Sequence, residues 1–148
     1  MRLSARLFAA CGLWLLALGT YFLFVRPALL TEDLRYIGSS LEAIRSAVPG
    51  LERWLGHVFN VMGGFMVATG ATTVLVARRL PEWHRRESLT ALVVAGAAGV
   101  ALMSATNFLL HSSFRWLLLI PALLWVAGLL CYACERPARH FSDVGLGD

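Results

Sequence analysis

Two pairs of polar residues stand apart in a chain that is otherwise strongly apolar: His57 with Asn60, and Asn107 with His111. Residues three or four apart share one face of a helix, so each pair points one way. Imidazole and carboxamide groups hydrogen-bond a quinone headgroup, and imidazole also ligates iron, copper and zinc, haem iron included. Ser112, Arg115 and Trp54 lie close by in sequence. Polar and ionisable groups at membrane depth are costly, so they face protein or water and tend to mark function. The plainer alternative is that interfacial water and lipid headgroups satisfy them, or that they hydrogen-bond two helices together. Two histidines with no carboxylate or thiolate beside them make a poor metal site, and no metal is assigned. His57, Asn60, Asn107, His111 and Arg115 therefore form the candidate binding set, with a quinone, a lipid or haem as the occupant to be tested.

Cysteines form a second group. Cys131 and Cys134 have the Cys-x-x-Cys spacing, and Cys11 sits in a separate apolar run. If those two runs are neighbours, three thiols lie near one depth. The spacing occurs in redox and zinc motifs, but a thioredoxin-type pair needs a strand-to-helix setting that this sequence lacks. Three thiols also want a fourth ligand, and only His140 follows along the chain. Small apolar packing residues, kept reduced on a cytoplasmic face, are the better reading.

The elements that must position these groups are plain. Apolar runs occupy Leu7–Val25, Leu55–Ala77, Leu89–Leu110 and Trp116–Cys134, each of 19 to 23 residues. A helix needs ~20 residues to cross the ~30 Å hydrocarbon core of a bilayer. Only the second run contains a residue of the Asp, Glu, Arg or His type, namely His57. Hydrophobic residues make up 58% of the 148-residue chain and charged ones 15%, against roughly a half and a quarter in soluble domains. The expectation is an all-α fold, a four-helix transmembrane bundle forming a single integral membrane domain over residues 1–148. Arg2 and Arg6 before the first run suggest a signal peptide. Its 19 residues exceed a signal core of ~7–15, however, and no small-x-small cleavage site follows, so it is read as a retained helix.

All 13 basic residues are Arg, and Lys and Gln are absent, a composition typical of a GC-rich bacterium. The net charge of +4 is spread over the ends of the runs rather than gathered in a patch, so no nucleic-acid partner is expected. In a four-span topology Arg2, Arg6, Arg78, Arg79, Arg85, Arg86, Arg136 and Arg139 share one side. Arg26, Arg35, Arg45, Arg53 and Arg115 share the other. The positive-inside rule places both termini in the cytoplasm, in a bacterial inner membrane, with the 26–54 loop outside. The 78–87 connection is basic enough to touch anionic lipid headgroups. The polar tail Glu135–Asp148 reads as frayed.

Within the loop, Leu34, Ile37, Leu41, Ile44 and Val48 recur at helical steps. This stripe predicts an amphipathic helix over 31–48 on the outer membrane surface or capping the bundle, with Thr31 as N-cap and Glu32 and Asp33 in the first turn. Gly38, and the capping-box spacing of Ser39 and Glu42, allow two short helices instead. Small residues spaced by four, Gly64, Ala68 and Thr72 in the second run and Ala91, Ala95 and Gly99 in the third, predict close packing of those two spans.

No phosphate-cradling glycine loop, nucleophile elbow or His-Glu-x-x-His pattern is present, and nothing in the chain assembles a catalytic set. The stretch Phe59-Asn60-Val61-Met62-Gly63-Gly64-Phe65-Met66-Val67-Ala68-Thr69-Gly70, followed by an apolar run and Ala77-Arg78-Arg79, resembles small four-span bacterial inner-membrane proteins of the DoxX-like type. The resemblance extends to the longer loop after the first span. It implies a redox-adjacent or accessory role, since some of those relatives are associated with quinone-linked sulfur oxidation or with membrane oxidoreductase complexes; it carries no functional residue across. The expected function is a non-enzymatic integral membrane protein. It would be an accessory or structural component of a larger membrane complex or a small homo-oligomer, with membrane lipids and a membrane protein or a second copy as partners. The alternative is a module binding quinone, lipid or haem at the His/Asn cluster.

Overall fold

The computed structural model describes residues 2–80 and 85–135. The centre of the 78–87 connection and the tail after Glu135 lie outside the described residues, and with them the expectations of a lipid-touching connection and a frayed tail.

Four helices are long and apolar enough to cross a membrane. They are α1 (Leu3–Phe24), α4 (Leu51–Arg79), a composite third span, and α7 (Arg115–Cys134). The third span is built from α5 (Arg85–Ala95), a π-helical stretch (Gly96–Ala101) and α6 (Leu102–Leu109). These are the four apolar runs of the sequence. Two short helices, α2 (Thr31–Ile37) and α3 (Leu41–Ala47), fill the loop between the first two spans.

The hub of the bundle is α1. It packs along α4 on one flank and α7 on the other, and α7 in turn carries the third span. Between α4 and the third span contact is marginal at most. The spans therefore follow the order α4, α1, α7, third span, around an arc. This corrects the expectation that the second and third spans pack together. Their four-residue stripes do not meet: Gly64, Ala68, Thr72, Ala91, Ala95 and Gly99 are all exposed.

The close seam lies between α1 and α4, and its repeat is seven residues. Gly12 lies against Gly70 and Gly19 against Gly63, in antiparallel register. A Cβ on Gly70 would come within 2.6 Å of the Gly12 carbonyl oxygen, and one on Gly19 within 2.8 Å of the Gly63 oxygen. One heptad further along each helix, Ala5 and Ala77 are both buried. Lipid tails are as apolar as leucine, so in a bilayer no hydrophobic term drives such a seam. Close backbone approach and dispersion contacts hold it.

On the other flank, Phe8 of α1 meets Trp125 of α7 edge to face, with ring centroids 5.3 Å apart. The Trp125 indole N–H donates to the Leu92 carbonyl at 2.9 Å. Gly96 leaves the room for this, because a Cβ there would land on the indole. The bond is made one turn before the third span widens: the Leu102 N–H reaches back to the Ala97 oxygen, a five-residue step. Trp125→Phe deletes the bond together with part of the buried indole, and is expected to cost about 2 kcal/mol or more. An SDS titration of the detergent-solubilised protein, compared with wild type, measures it.

Side chains occupy carbonyls around the buried Pro121 inside α7. Ser104 Oγ donates to the Leu118 oxygen at 2.7 Å, and Cys11 Sγ lies 3.4 Å from the Pro121 oxygen. Spans one and four are thus neighbours as anticipated, yet the thiols do not share a depth. From Pro121 to Cys131 the helix rises ~15 Å. At the end holding Arg2 and Glu135, the Ser4 N–H and Oγ–H both donate to the Glu135 carboxylate, at 3.1 and 2.8 Å.

The 31–48 segment forms two helices, divided at Gly38, whose φ of 73° is left-handed. Ser40 caps α3 by accepting the Ala43 N–H at 3.1 Å. The N-cap of α2 is Leu30 rather than Thr31, and Asp33 accepts the Leu30 N–H at 2.8 Å. The apolar stripe is not buried as a unit: Ile44 is buried, while Ile37 and Val48 are each 52% exposed. Arg45 holds Glu52 of α4 with two hydrogen bonds, at 2.8 and 3.1 Å.

Candidate functional site

At the end carrying α2, the arc of spans encloses a cavity of about 1060 Å³, at the top of the ~300–1,000 Å³ range of small-molecule pockets. Trp14, Leu18 and Tyr21 contribute one face of α1 at helical steps, Phe59 and Met66 come from α4, and Asn107 comes from the third span. The wall is predominantly apolar. Since α4 and the third span hardly touch, the side of the cavity between them is not sealed by helix packing.

Charge is confined to the mouth. Arg26, at the exit of α1, has a side chain only 9% exposed. Its Nη2 pairs with Asp33 Oδ2 at 3.2 Å and its Nη1 donates to the Pro27 oxygen at 2.9 Å. The guanidinium lies 3.5 Å from the centroid of the Phe59 ring, with the Phe22 ring 5.3 Å away. A cation over an aromatic face gains from the ring quadrupole, and more so when desolvated. Glu32, the residue before Asp33, reaches the opposite flank. It accepts from Ser112 Oγ at 3.2 Å and from the Ser113 N–H at 2.7 Å. Ser112 Oγ in turn accepts the Phe114 N–H at 3.1 Å and stabilises the turn into α7.

Two adjacent acids thus tie α2 to both flanks of the arc, and the helix lies across the mouth as a strap. Glu32→Ala removes two hydrogen bonds to a charged acceptor, an interaction worth ~1.5–3 kcal/mol. The amides of α2 are therefore expected to exchange with deuterium about 10- to 100-fold faster, with the spans unaffected. Hydrogen exchange read by mass spectrometry checks this.

Of the five residues of the candidate binding set, only Asn107 lines the cavity, and Ser112, named beside them, lines it too. Asn107 is half-buried, and its Nδ2 donates to the Met103 oxygen of its own helix at 2.9 Å. His57 and Asn60 are exposed on α4, off the cavity wall. His111 is exposed at the end of the third span, with φ of 50° and its Nδ1 3.1 Å from the Leu109 oxygen. Arg115 begins α7, its guanidinium 5.9 Å from the Trp116 ring centroid. No packed interface between α4 and α6 brings the two polar pairs together. Among the described residues, no three His, Cys, Asp or Glu side chains cluster as metal ligands would.

Sequence reasoning passed over Arg26, Glu32 and Asp33, because an Arg at a span end reads as a headgroup anchor and loop acids read as solvated. The available signal was the Arg26-Pro27 step with two acids six and seven residues on, and the Trp14, Leu18, Tyr21 face pointing one way. No family model, curated protein or solved structure matches this chain.

Proposed function

We propose that this chain is a non-enzymatic integral membrane protein that holds a lipid-like small molecule in the cavity beneath α2. The observation that carries the reading is the cavity itself, lined by all four apolar spans and crossed at its mouth by paired charges. It keeps the ligand-binding alternative of the sequence and moves it from the His/Asn cluster to a wall that shares Asn107 with it. That wall contains no histidine, so imidazole ligation of haem finds no support there, whereas a quinone or a lipid fits an apolar wall with few polar groups. The test is organic extraction of the protein purified in mild detergent from its native host, with mass and absorption spectra of the extract. One amphiphile near one per chain is expected, and an extract holding only detergent and bulk lipid would remove the reading.

A second reading, the accessory subunit or small homo-oligomer, is favoured by the exposed small-residue stripes. Gly64 has open space where a Cβ would stand, which leaves backbone available to another helix. The DoxX-like resemblance points the same way, through its association with membrane complexes. Gly64→Leu with Ala95→Leu is expected to shrink the particle on a native gel, and an unchanged monomer in both forms would refute it. We place the protein in a bacterial inner membrane with both termini cytoplasmic, from the Arg distribution. A reporter fused after Asp148 that is active only outside the cytoplasm would reverse that orientation.

A further inference from the structure

We propose that the occupant of this cavity is an uncharged amphiphile, a hydrocarbon chain with oxygen acceptors on its head, and that it enters sideways from the bilayer between α4 and the third span. The proposal rests on the cavity reading above and adds the ligand class and the route.

Charge decides against an anionic head. The wall carries one cation, Arg26, and two acids, Glu32 and Asp33. The Arg26 guanidinium is already engaged by Asp33, by the Pro27 oxygen and by the Phe59 ring. An anionic head would therefore meet a surplus of negative charge with no free cation beside it, and like charges in a poorly solvated site repel strongly. A cationic head would be drawn to Glu32, whose charge only the neutral donors Ser112 and Ser113 engage, so the hydrogen-bond donors of the wall decide between a cation and a neutral head.

What the wall offers freely is mostly donors. The Trp14 indole N–H and the hydroxyl of the half-buried Tyr21 make no hydrogen bond to the described residues, and Asn107 uses its amide nitrogen only on Met103. Indole N–H and phenol O–H groups normally find a partner when buried. A carbonyl or hydroxyl oxygen on a neutral head supplies one, and a cation does not. Trp14 lies ~10 Å deeper along α1 than Tyr21. At its depth Leu15, Met66 and Val100 leave an apolar bed for a chain.

Packing decides the route. The mouth is strapped on both flanks by Asp33 and Glu32, while α4 and the third span are not packed against each other. The gap between two membrane-spanning helices faces hydrocarbon, where an amphiphile already resides.

The full-length protein in phosphatidylcholine nanodiscs is photolabelled with probes sharing one long diazirine-bearing alkyl chain and ending in an alcohol, a phosphate monoester or a trimethylammonium. Labelled peptides are located by mass spectrometry. The alcohol is expected to label the segments around Leu18, Met66 and Met103 at least about tenfold more than either charged probe, and a long-chain quinone is expected to compete with it. Asn107→Leu is expected to lower that labelling with the unfolding midpoint unchanged. Equal or stronger labelling by a charged probe overturns the neutral head and leaves the cavity reading standing. Cavity peptides untouched by every probe overturn the cavity reading itself. Thr69→Trp, on an exposed edge of α4 that lines the cavity, narrows the open side and is expected to slow the labelling about tenfold; an unchanged rate would place access at the mouth and overturn the lateral route.

Discussion

Gly70→Leu is expected to be the most damaging single change in this protein, costing about 3 kcal/mol or more of stability. The Cβ alone would stand 2.6 Å from the Gly12 carbonyl oxygen and 2.8 Å from the Leu16 nitrogen. Both are backbone atoms, which cannot rotate aside as a side chain would. The only relief is separation of α1 from α4, which forfeits the close contacts that hold helices together in lipid. Gly56→Leu, fourteen residues away on the same helix, adds the same side chain to a position with nothing within 4 Å, and is expected to leave stability unchanged. Unfolding by SDS in mixed micelles, run on both variants, gives the comparison. Two variants of equal stability would refute the heptad seam.

Leu18→Trp is expected to empty the cavity without unfolding the chain. Leu18 lies on the α1 face between Trp14 and Tyr21 and lines the cavity, so added bulk there goes into space rather than into a packed core. Overpacking ordinarily costs ~1–3 kcal/mol, and a hole of this size should bring the penalty below about 1 kcal/mol. Retained amphiphile, measured by extraction and mass spectrometry at constant protein, is expected to fall at least about tenfold relative to wild type. An unchanged extract with an unchanged melting temperature would mean that the molecule, if retained, sits elsewhere.

The spans were legible in the sequence because length and apolarity are local properties and the bilayer sets the required length. Leu7–Val25 became Leu3–Phe24, and Trp116–Cys134 became Arg115–Cys134, shifts of a turn or less. Which spans touch was not legible. Gly64, Ala68 and Thr72 form as good a small-residue stripe as Gly63, Gly70 and Ala77, yet the first faces outward and the second is buried. In a soluble helix the polar residues would have told the faces apart. In lipid both faces are apolar, and the discriminating fact is the partner helix, which local sequence does not encode. The site was hidden for a related reason. Asn107 was found as a polar residue within an apolar run, but Arg26 and Asp33 sit one and eight residues past the end of the first run. Their pairing over the Phe59 ring depends on α4 returning beside α1.

The hub position of α1 also bears on how the protein is made. A chain leaving the ribosome presents α1 first and its second partner, α7, last. Docking with α4 can begin as soon as the second span is inserted, but the face of Phe8, Cys11 and Leu15 must wait for the final span. Waiting is inexpensive in this solvent, because acyl chains cover an apolar face much as a helix does. The hydroxyl of Ser4 is different: its acceptor on Glu135 lies 131 residues downstream, so the two ends of the described chain meet only after everything between them has been threaded into the bilayer.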